Sequence, residues 1–456
     1  MKFPISITIL LCRFARFLLR RLGRGGTNVP GTLALKLRPD ILKTLSKDVT
    51  IVLVTGTNGK TTITRMIEQC FREAGFSYFT NRSGANMDTG IAAEFVVNST
   101  VRGKCQYPYA LIECDELAFR KVSRYANVKY VVVSNIFRDQ LDRYGEITHT
   151  LTGIFDGIHN IPDATVCLNA DCSLSTSLHE RLPNKVIFYG LNCPLYKDRV
   201  KEVSDAPYCI HCGKAYRYDY VTYGHLGKYF CENCGYRRPE PAVAVEEILS
   251  MDADSTTVRL KFPDGEHKVK INLPGGYNVY NAAAAATVGT AMGLSDETVT
   301  AALEHFECGF GRMEKVTIND TDVRMILVKN PAGANQVLSF LYNIEDPAVF
   351  VVGLNDRYAD GTDISWIWDA DFEKLVSMGD RLHRVVVTGI RADEMAMRFK
   401  YAGLDPQKID IIRDYSELLR SVTKEHIPVF IMPTYTAMLS IRELMSREYH
   451  IKEFWK

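Results

Sequence analysis

The segment TIVLVTGTNGKTTITRMIEQCFREAG, residues 50–75, decides the fold of this chain. It begins with the β-branched run of a buried strand, continues through the glycine-rich turn GTNGKTT and opens a helix. Glycines let backbone N–H groups close around phosphate oxygens, and the N-terminus of the following helix adds a positive partial charge. The segment therefore predicts a phosphate-binding loop on a parallel α/β sheet.

Within this loop, Lys60 is expected to bridge the β and γ phosphates of ATP, and Thr61 to reach Mg²⁺. The spacing departs from the general G-x4-GKT form, because Gly56 lies only three residues before Gly59. A glycine-rich turn that binds no ligand is the alternative. The predicted ATP-binding residues of the loop are Gly56, Thr57, Asn58, Gly59, Lys60, Thr61 and Thr62.

Short β-branched runs alternate with helical stretches from Asp48 onward, which indicates a parallel sheet with crossover helices. A second strand-rich series after Lys315 predicts a C-terminal, Rossmann-like α/β domain. The expected divisions are an N-terminal helix and linker (1–46), a central ATP-binding domain (47–314), a cysteine-bearing insertion within it (204–241) and the C-terminal domain (315–456).

An acidic run, ECDE, lies at the predicted carboxyl end of a strand, where ligands of open α/β sheets gather. Mg²⁺ prefers oxygen ligands, so Glu113 is the candidate carboxylate for the metal and a candidate catalytic residue. The alternative is an acidic strand end that is only solvated surface.

Two CxxC pairs, each followed by a glycine, predict a closed structural zinc site. Four protein ligands leave no open position for water, which argues against a catalytic zinc. The tyrosines of the insertion are expected to pack a metal-nucleated core rather than stack nucleobases. The predicted zinc ligands are Cys209, Cys212, Cys231 and Cys234.

Composition limits the class of protein. Hydrophobic residues make up 46% and charged residues 24%, the balance of a soluble globular chain, and the net charge of +1 argues against a surface that coats nucleic acid. Cysteines paired as metal ligands, with the other eight expected to be buried, indicate a reducing, cytosolic compartment.

The N-terminus carries the apolar run Ile5–Cys12, which is too short for a bilayer span of about 20 residues. Arginines recur beyond it at three- and four-residue steps, which indicates a basic amphipathic helix. Three interpretations remain open: a helix packed on its own domain, contact with the anionic inner face of a membrane, and a cleaved signal.

Several ordered motifs together resemble the Mur ligases. The matching motifs are GTNGKTT, NIFRDQLDRYGE, LNAD, PGGYNVYNAAAA and FGRME. The cysteine insertion, KNPAGANQV and LNDRYADGTDISWIWDADFE narrow the resemblance to the amidating branch of that family, the ligase-like subunits of lipid II isoglutaminyl synthase.

This resemblance implies that ATP phosphorylates the α-carboxyl of D-glutamate in lipid II and that ammonia then displaces phosphate. It also implies a heterodimer with a separate glutaminase of the GatD type, which makes the ammonia. A Mur-type ligase that adds an amino acid is one alternative. A non-catalytic zinc-ribbon adaptor is another.

The resemblance further implies that an aspartate of this chain completes the partner's Cys-His triad, and the motif match places it at Asp363, with Asp356 and Asp360 as competing choices. The ATP-binding positions carry over to Asn281 and, less directly, to Asn278 and Arg312. Gln140 stands where the amino-acid-adding enzymes usually have histidine, which leaves a second Mg²⁺ in doubt.

Overall fold

A computed structural model describes residues 3–21, 28–81, 85–139, 147–195, 204–252, 254–307 and 312–451. The strands up to residue 271 are β1 (Thr50–Thr55), β2 (Tyr78–Thr80), β3 (Tyr109–Glu113), β4 (Val128–Val133), β5 (Thr165–Asn169), β6 (Val186–Leu191), β7 (Arg217–Tyr223), β8 (Leu226–Phe230), β9 (Val243–Met251), β10 (Thr256–Lys261) and β11 (Glu266–Ile271). The helices of the same part are α1 (Ile5–Arg21), α2 (Asn28–Leu37), α3 (Ile41–Leu45), α4 (Lys60–Glu73), α5 (Asp88–Val97), α6 (Glu116–Ser123), α7 (Ile147–His159), α8 (Ser173–His179), α9 (Gly276–Ala291) and α10 (Asp296–Glu304).

The central domain is built on a sheet with the order β11-β10-β9-β6-β5-β4-β1-β3-β2. The pairs from β2 to β9 are parallel, as predicted, whereas β10 and β11 add an antiparallel extension. β1 lies inside the sheet, between β3 and β4, and its residues from Ile51 onward are buried. The loop after β1 therefore leaves the sheet from an interior strand, with the ends of β3 and β4 on either side.

The N-terminal helices pack against the central domain. α2 approaches α5 so closely that a Cβ on Gly31 would lie 1.6 Å from the carbonyl oxygen of Thr89. In α1, Ile9 and Cys12 are buried, and the Arg13 guanidinium donates to the carbonyl oxygen of Val97 at 3.1 Å. One face of α1 is thus fixed on its own domain. Among the described helices, none is both long and apolar enough to cross a membrane.

The C-terminal domain has a second sheet with the order β12-β13-β17-β14-β15-β16. Its strands are β12 (Arg312–Ile318), β13 (Thr321–Ile326), β14 (Ala348–Gly353), β15 (Leu382–Thr388), β16 (Ile409–Ile411) and β17 (Val429–Pro433). Its α-helices are α11 (Pro331–Tyr342), α12 (Glu373–Val376), α13 (Ala392–Tyr401), α14 (Tyr415–Val422) and α15 (Tyr435–Tyr449). Among the strand pairs of this sheet, β12–β13 is antiparallel and the others are parallel. Because β12 belongs to this sheet, the domain boundary expected at 314–315 falls inside that strand.

Candidate active site

The loop between β1 and α4 has the geometry of a phosphate cradle. Gly56 and Gly59 both adopt positive φ, of 112° and 88°. A Cβ on Gly56 would lie 2.4 Å from the Ser134 hydroxyl, and one on Gly59 would lie 2.2 Å from Oδ1 of Asn281. Glycine is therefore required at both positions by backbone conformation and by space.

Lys60 directs its ammonium into this loop. Its Nζ donates to the carbonyl oxygens of Gly56 at 2.6 Å and Thr57 at 3.2 Å, and forms an ion pair with Glu116 at 3.1 Å. Burial lowers the pKa of Lys60, but nearby carboxylates outweigh burial and raise it above its ordinary value. Those carboxylates are Glu116, Asp115, Glu113 and Asp139. The loop therefore holds a buried ammonium group that is paired with a buried carboxylate.

The acidic run ECDE places two different carboxylates at the site. Glu113 ends β3 and its side chain accepts a hydrogen bond from Asn86 at 3.3 Å. Glu116, at the start of α6, is the one that contacts Lys60, and its Oε2 atom is buried without a hydrogen-bond partner in the described structure. Glu113 was predicted from its position at the strand end, whereas Glu116, in the same motif, was not predicted.

A segment after β4 braces the loop from the other side. The Asn135 side chain accepts from the Asn58 N–H at 2.9 Å and donates to the Asn58 carbonyl at 3.2 Å. The Thr57 hydroxyl accepts from the Phe137 N–H at 3.0 Å and lies 3.2 Å from its carbonyl oxygen. These bonds fix the loop against its neighbouring strand and give NIF, the start of NIFRDQLDRYGE, a structural role.

Beside the loop, a cleft that is partly open to solvent lies between the two domains. Asn278 and Asn281 line it from α9, and Nδ2 of Asn281 donates to Oδ1 of Asn278 at 3.0 Å. Tyr223 and Tyr277 add aromatic faces. The cleft thus combines amide groups with flat apolar surface, as a nucleobase requires.

Three polar contacts join the domains across this cleft. Asn330, which caps α11, donates through Nδ2 to Oδ1 of Asn58 at 3.1 Å. Lys329 forms an ion pair with the buried Asp139. Near them, Arg138 contacts Asp369 at 2.8 Å. The C-terminal domain therefore touches the phosphate-binding loop directly, through Asn330, which was not among the predicted site residues.

The three competing aspartates of the loop after β14 have different surroundings. Asp360 is buried and accepts from the N–H and hydroxyl of Thr436, both at 2.6 Å. Asp356 pairs with the Arg391 guanidinium at 2.7 Å. Asp363 is half-buried, and its Oδ1 atom accepts from the Ser365 N–H at 2.8 Å. Two of the three carboxylates are therefore tied to distant parts of the same domain.

The four cysteines of the insertion converge. Their sulfur atoms all lie within 4.8 Å of one another. Each CxxC pair forms the same turn: the N–H of Gly213 donates to the Cys209 carbonyl at 2.9 Å, and that of Gly235 to the Cys231 carbonyl at 3.0 Å. This set of four converging thiols fits a tetrahedral metal ion of the zinc type.

The cysteine insertion also contacts the cleft between the two domains. Tyr216 and Tyr229 are buried beside the cysteines, while Tyr208 is exposed, so the expected aromatic packing holds for only part of the set. Tyr223, which ends β7, packs on Tyr280 of α9 with ring centroids 5.7 Å apart. The cysteine insertion and the cleft are therefore in contact through Tyr223.

Two family models match the sequence. The model of the Mur ligase middle domain matches residues 54–289, and the model described as MurT ligase C-terminal matches residues 327–438. The lipid II isoglutaminyl synthase (glutamine-hydrolyzing) subunit MurT of Streptococcus pneumoniae is 34% identical over 456 residues, which cover 99% of this chain and 99% of that protein. The chain belongs to the MurT branch of the Mur ligase family.

The same subunit of Staphylococcus aureus strain COL is also 34% identical, over 97% of this chain and 98% of its own length. Among solved structures, a pseudomurein peptide ligase type C from Methanothermus fervidus superposes with a TM-score of 0.65, at 20% identity, over 91% of this chain and 83% of the other. The predicted Mur-ligase-like fold is confirmed, and so is membership in a family of ATP-dependent ligases.

Within this Mur ligase chain, some expectations lie outside the described residues. Gln140 is one of them, and Arg312 begins β12 but its side chain is not described. Of the cysteines outside the metal cluster, Cys105 and Cys193 are only half-buried, unlike the expectation for the whole group. The buried ones in the described ranges are Cys12, Cys70, Cys114, Cys167 and Cys172.

Proposed function

We propose that this chain uses ATP to activate the α-carboxyl of D-glutamate in the stem peptide of lipid II and then transfers ammonia to it, giving D-isoglutamine. The observation that carries the proposal is the similarity to MurT subunits over 99% of the chain, including the cysteine insertion and the C-terminal domain. Lipid II is a membrane-anchored substrate, so the reaction is placed at the inner face of the membrane.

The chemistry requires two displacements. A carboxylate oxygen attacks the γ phosphorus of ATP, the bond to the bridging oxygen breaks, and ADP leaves. Ammonia then attacks the acyl carbon of the acyl phosphate, and inorganic phosphate leaves with the original carboxylate oxygen. Lys60 and the backbone amides of residues 59–61, at the start of α4, are suited to stabilise the charge on the transferred phosphoryl group, because they lie together at the N-terminus of that helix.

Mg²⁺ fits the carboxylates around Lys60. Two buried oxygens have no hydrogen-bond partner in the described structure, Oε2 of Glu116 and Oδ1 of Asp139. Thr61 and Glu113 complete the oxygen-bearing set that we propose for the ion. When bound, Mg²⁺ neutralises phosphate charge. Glu116 thus joins Glu113 as a proposed magnesium ligand.

The nucleotide is proposed to bind in the cleft beside the loop, with its base against Asn281 and the two tyrosines that line the wall. Arg312 remains a proposed phosphate contact. Closure of the C-terminal domain, through the Asn58–Asn330 and Asp139–Lys329 contacts, would exclude water from an acyl phosphate that water would otherwise hydrolyse.

A glutaminase of the GatD type is proposed as the source of ammonia, and Asp363 as the residue that completes its triad. Asp360 accepts a hydrogen bond from Thr436, and Asp356 pairs with Arg391. Because both carboxylates have these partners within their own domain, Asp363 is the preferred choice. In the described part of the chain, the hydrogen bond of Asp363 is a local turn bond, which its carboxylate accepts from the Ser365 N–H. An aspartate in this role holds the imidazole tautomer and stabilises the imidazolium.

The cysteine cluster is proposed to hold a structural Zn²⁺. Metal analysis of the purified chain is expected to give one zinc per chain, and the double substitution Cys212→Ser with Cys234→Ser is expected to remove it. The Cys193→Ser variant is the control, because this half-buried thiol lies outside the cluster. Full zinc content in the double variant would contradict the assignment.

The proposed reaction is tested by incubating the chain and its glutaminase partner with ATP, glutamine and lipid II, and weighing the product by mass spectrometry. Amidation exchanges a hydroxyl for an amino group on the stem peptide. A gain of a full amino-acid residue would support the amino-acid-adding alternative and contradict the proposal. An unchanged lipid II mass would also contradict it.

A further inference from the structure

The N-terminal helix α1 turns an apolar face away from its own domain. Exposed side chains follow one another at three- and four-residue steps, which places them on one side of the helix. Phe14 is 60% exposed and Leu10 is 53% exposed. The exposed apolar side chains of this region, called the α1 stripe below, are Phe3, Ile7, Leu10, Leu11, Phe14, Phe17 and Leu18.

The opposite face of α1 is already occupied. Ile9 and Cys12 are buried in the central core, and Arg16 pairs with Glu94 at 3.6 Å. The helix is therefore held in place by its inner face, so the α1 stripe is not the side that attaches it to the domain. Single exposed leucines are ordinary on protein surfaces, but a continuous row with three phenylalanines marks an interaction surface.

Charge identifies the kind of surface that α1 would meet. Residues 1–39 contain only basic charged side chains, although the whole chain has a net charge of only +1. These are Lys2, Arg13, Arg16, Arg20, Arg21, Arg24, Lys36 and Arg38. Arg21 lies over the Phe17 ring of the stripe, 4.9 Å from its centroid. Basic and apolar groups are thus combined on one short segment, the pattern of helices that lie in a membrane interface.

A neighbouring turn adds to the positive charge. Gly103 lies against Ile5 at the start of α1, and the side chains on either side of this glycine, Arg102 and Lys104, are exposed. Both ends of the helix therefore carry exposed cations, at Arg21 and at this turn. Anionic headgroups attract such groups within a Debye length of the membrane surface.

We propose that the α1 stripe docks this chain on an anionic lipid surface, with the aromatic and leucine side chains in the headgroup and acyl boundary. The inference concerns binding and does not depend on the proposed reaction, since lipid binding needs neither ATP nor the glutaminase. It would set the orientation of the chain on the membrane.

A second copy of the chain is the main competing occupant of the stripe. In a symmetric dimer the same patch meets itself, so two segments with only basic charges would face each other. Like-charge juxtaposition opposes association, whereas a phosphate-bearing surface favours it. The charge pattern therefore favours lipid over self-association.

The test is co-sedimentation of the full-length chain with vesicles, without nucleotide. Vesicles of phosphatidylglycerol and phosphatidylcholine in equal amounts are expected to bind the chain, and vesicles of phosphatidylcholine alone to bind it about tenfold more weakly. Raising the salt from about 50 mM to about 500 mM should reduce binding to the anionic vesicles. The double variant Leu10→Glu with Phe14→Glu should reduce it by about tenfold or more.

Leu249→Glu is the matched control, because this leucine is 39% exposed on β9, outside the helix. ATP affinity and the unfolding temperature of each variant show that the fold is intact. Equal vesicle binding by the double variant and the control would overturn the proposal. So would light scattering that shows a dimer which the double variant dissociates, or binding that is indifferent to lipid charge.

Discussion

Two loops of this molecule each follow an interior parallel strand of a sheet and carry charged side chains, but different features of the molecule determine what each loop can do. The loop after β1 is defined by its own residues, because two glycines with positive φ and one lysine give it both shape and charge. The loop after β14 presents three aspartates that look equivalent in sequence. Their partners, at Thr436, Arg391 and Ser365, distinguish them. Local spacing defines the first loop, and long-range contacts define the second.

The largest expected effect is at the first loop. Lys60→Ala should lower ATP turnover by about 10³-fold, because the ammonium is the buried cation of the cradle. Steady-state release of phosphate is the measurement. Lys228→Ala, which removes an exposed lysine paired with Asp219, is the control and should retain full turnover. Comparable turnover by both variants would remove the catalytic role from the loop.

At the second loop, Asp363→Asn should lower glutamine hydrolysis by the complex with its glutaminase by about 10²-fold. The loss is smaller than for a serine triad, because a cysteine nucleophile depends less on the third residue. ATP binding should not change. Asp356→Asn is the matched control and should keep hydrolysis. If the two variants exchange these outcomes, Asp356 and not Asp363 completes the triad.

Asp360→Asn should instead destabilise the C-terminal domain, by about 1–3 kcal/mol. The buried carboxylate accepts two hydrogen bonds from Thr436, and a carboxamide cannot accept them with the same charge. Urea denaturation measures the free energy of unfolding. A variant as stable as the parent protein would show that Asp360 has no anchoring role and would return it to the candidates for the triad.

The smallest expected effect tests whether nucleotide binding at the first loop also depends on the cysteine insertion. Tyr223→Leu should weaken ATP binding by about three- to tenfold, because it removes an aromatic face of the cleft that the metal-binding insertion supplies. Isothermal titration calorimetry gives the affinity. Tyr208→Leu, at an exposed tyrosine of the same insertion, is the control. Equal affinities would mean that the insertion contributes nothing to nucleotide binding.

Much of the fold followed from sequence, because strand and helix patterns are local. The parallel core sheet, the metal-binding turns and the C-terminal sheet were all predicted from runs of a few residues. The antiparallel extension by β10 and β11 was not, since strand direction depends on which edge a hairpin joins. The boundary expected at 314–315 falls within β12, because Arg312–Ile318 pairs with β13 in the second sheet.

The residues of the candidate site also fall into those that the sequence predicted and those that it did not. Lys60 and the paired cysteines could be located from spacing alone. The sequence did not favour Glu116 over Glu113. The contact between the Glu116 carboxylate and Lys60 depends on where α6 begins, which the ECDE motif does not specify. Asn330 and Lys329 were missed for another reason. Their partners, Asn58 and Asp139, lie in another domain, and no local pattern reports a contact across more than a hundred residues.

Oxygen-18 labelling shows whether the loop after β1 supports activation of a carboxyl group as an acyl phosphate. Lipid II labelled at the α-carboxyl of D-glutamate is incubated with the complex, ATP and glutamine, and the released inorganic phosphate is analysed by mass spectrometry. Activation through an acyl phosphate should place one labelled oxygen in each phosphate formed with product. Unlabelled phosphate accompanying amidated product would contradict it.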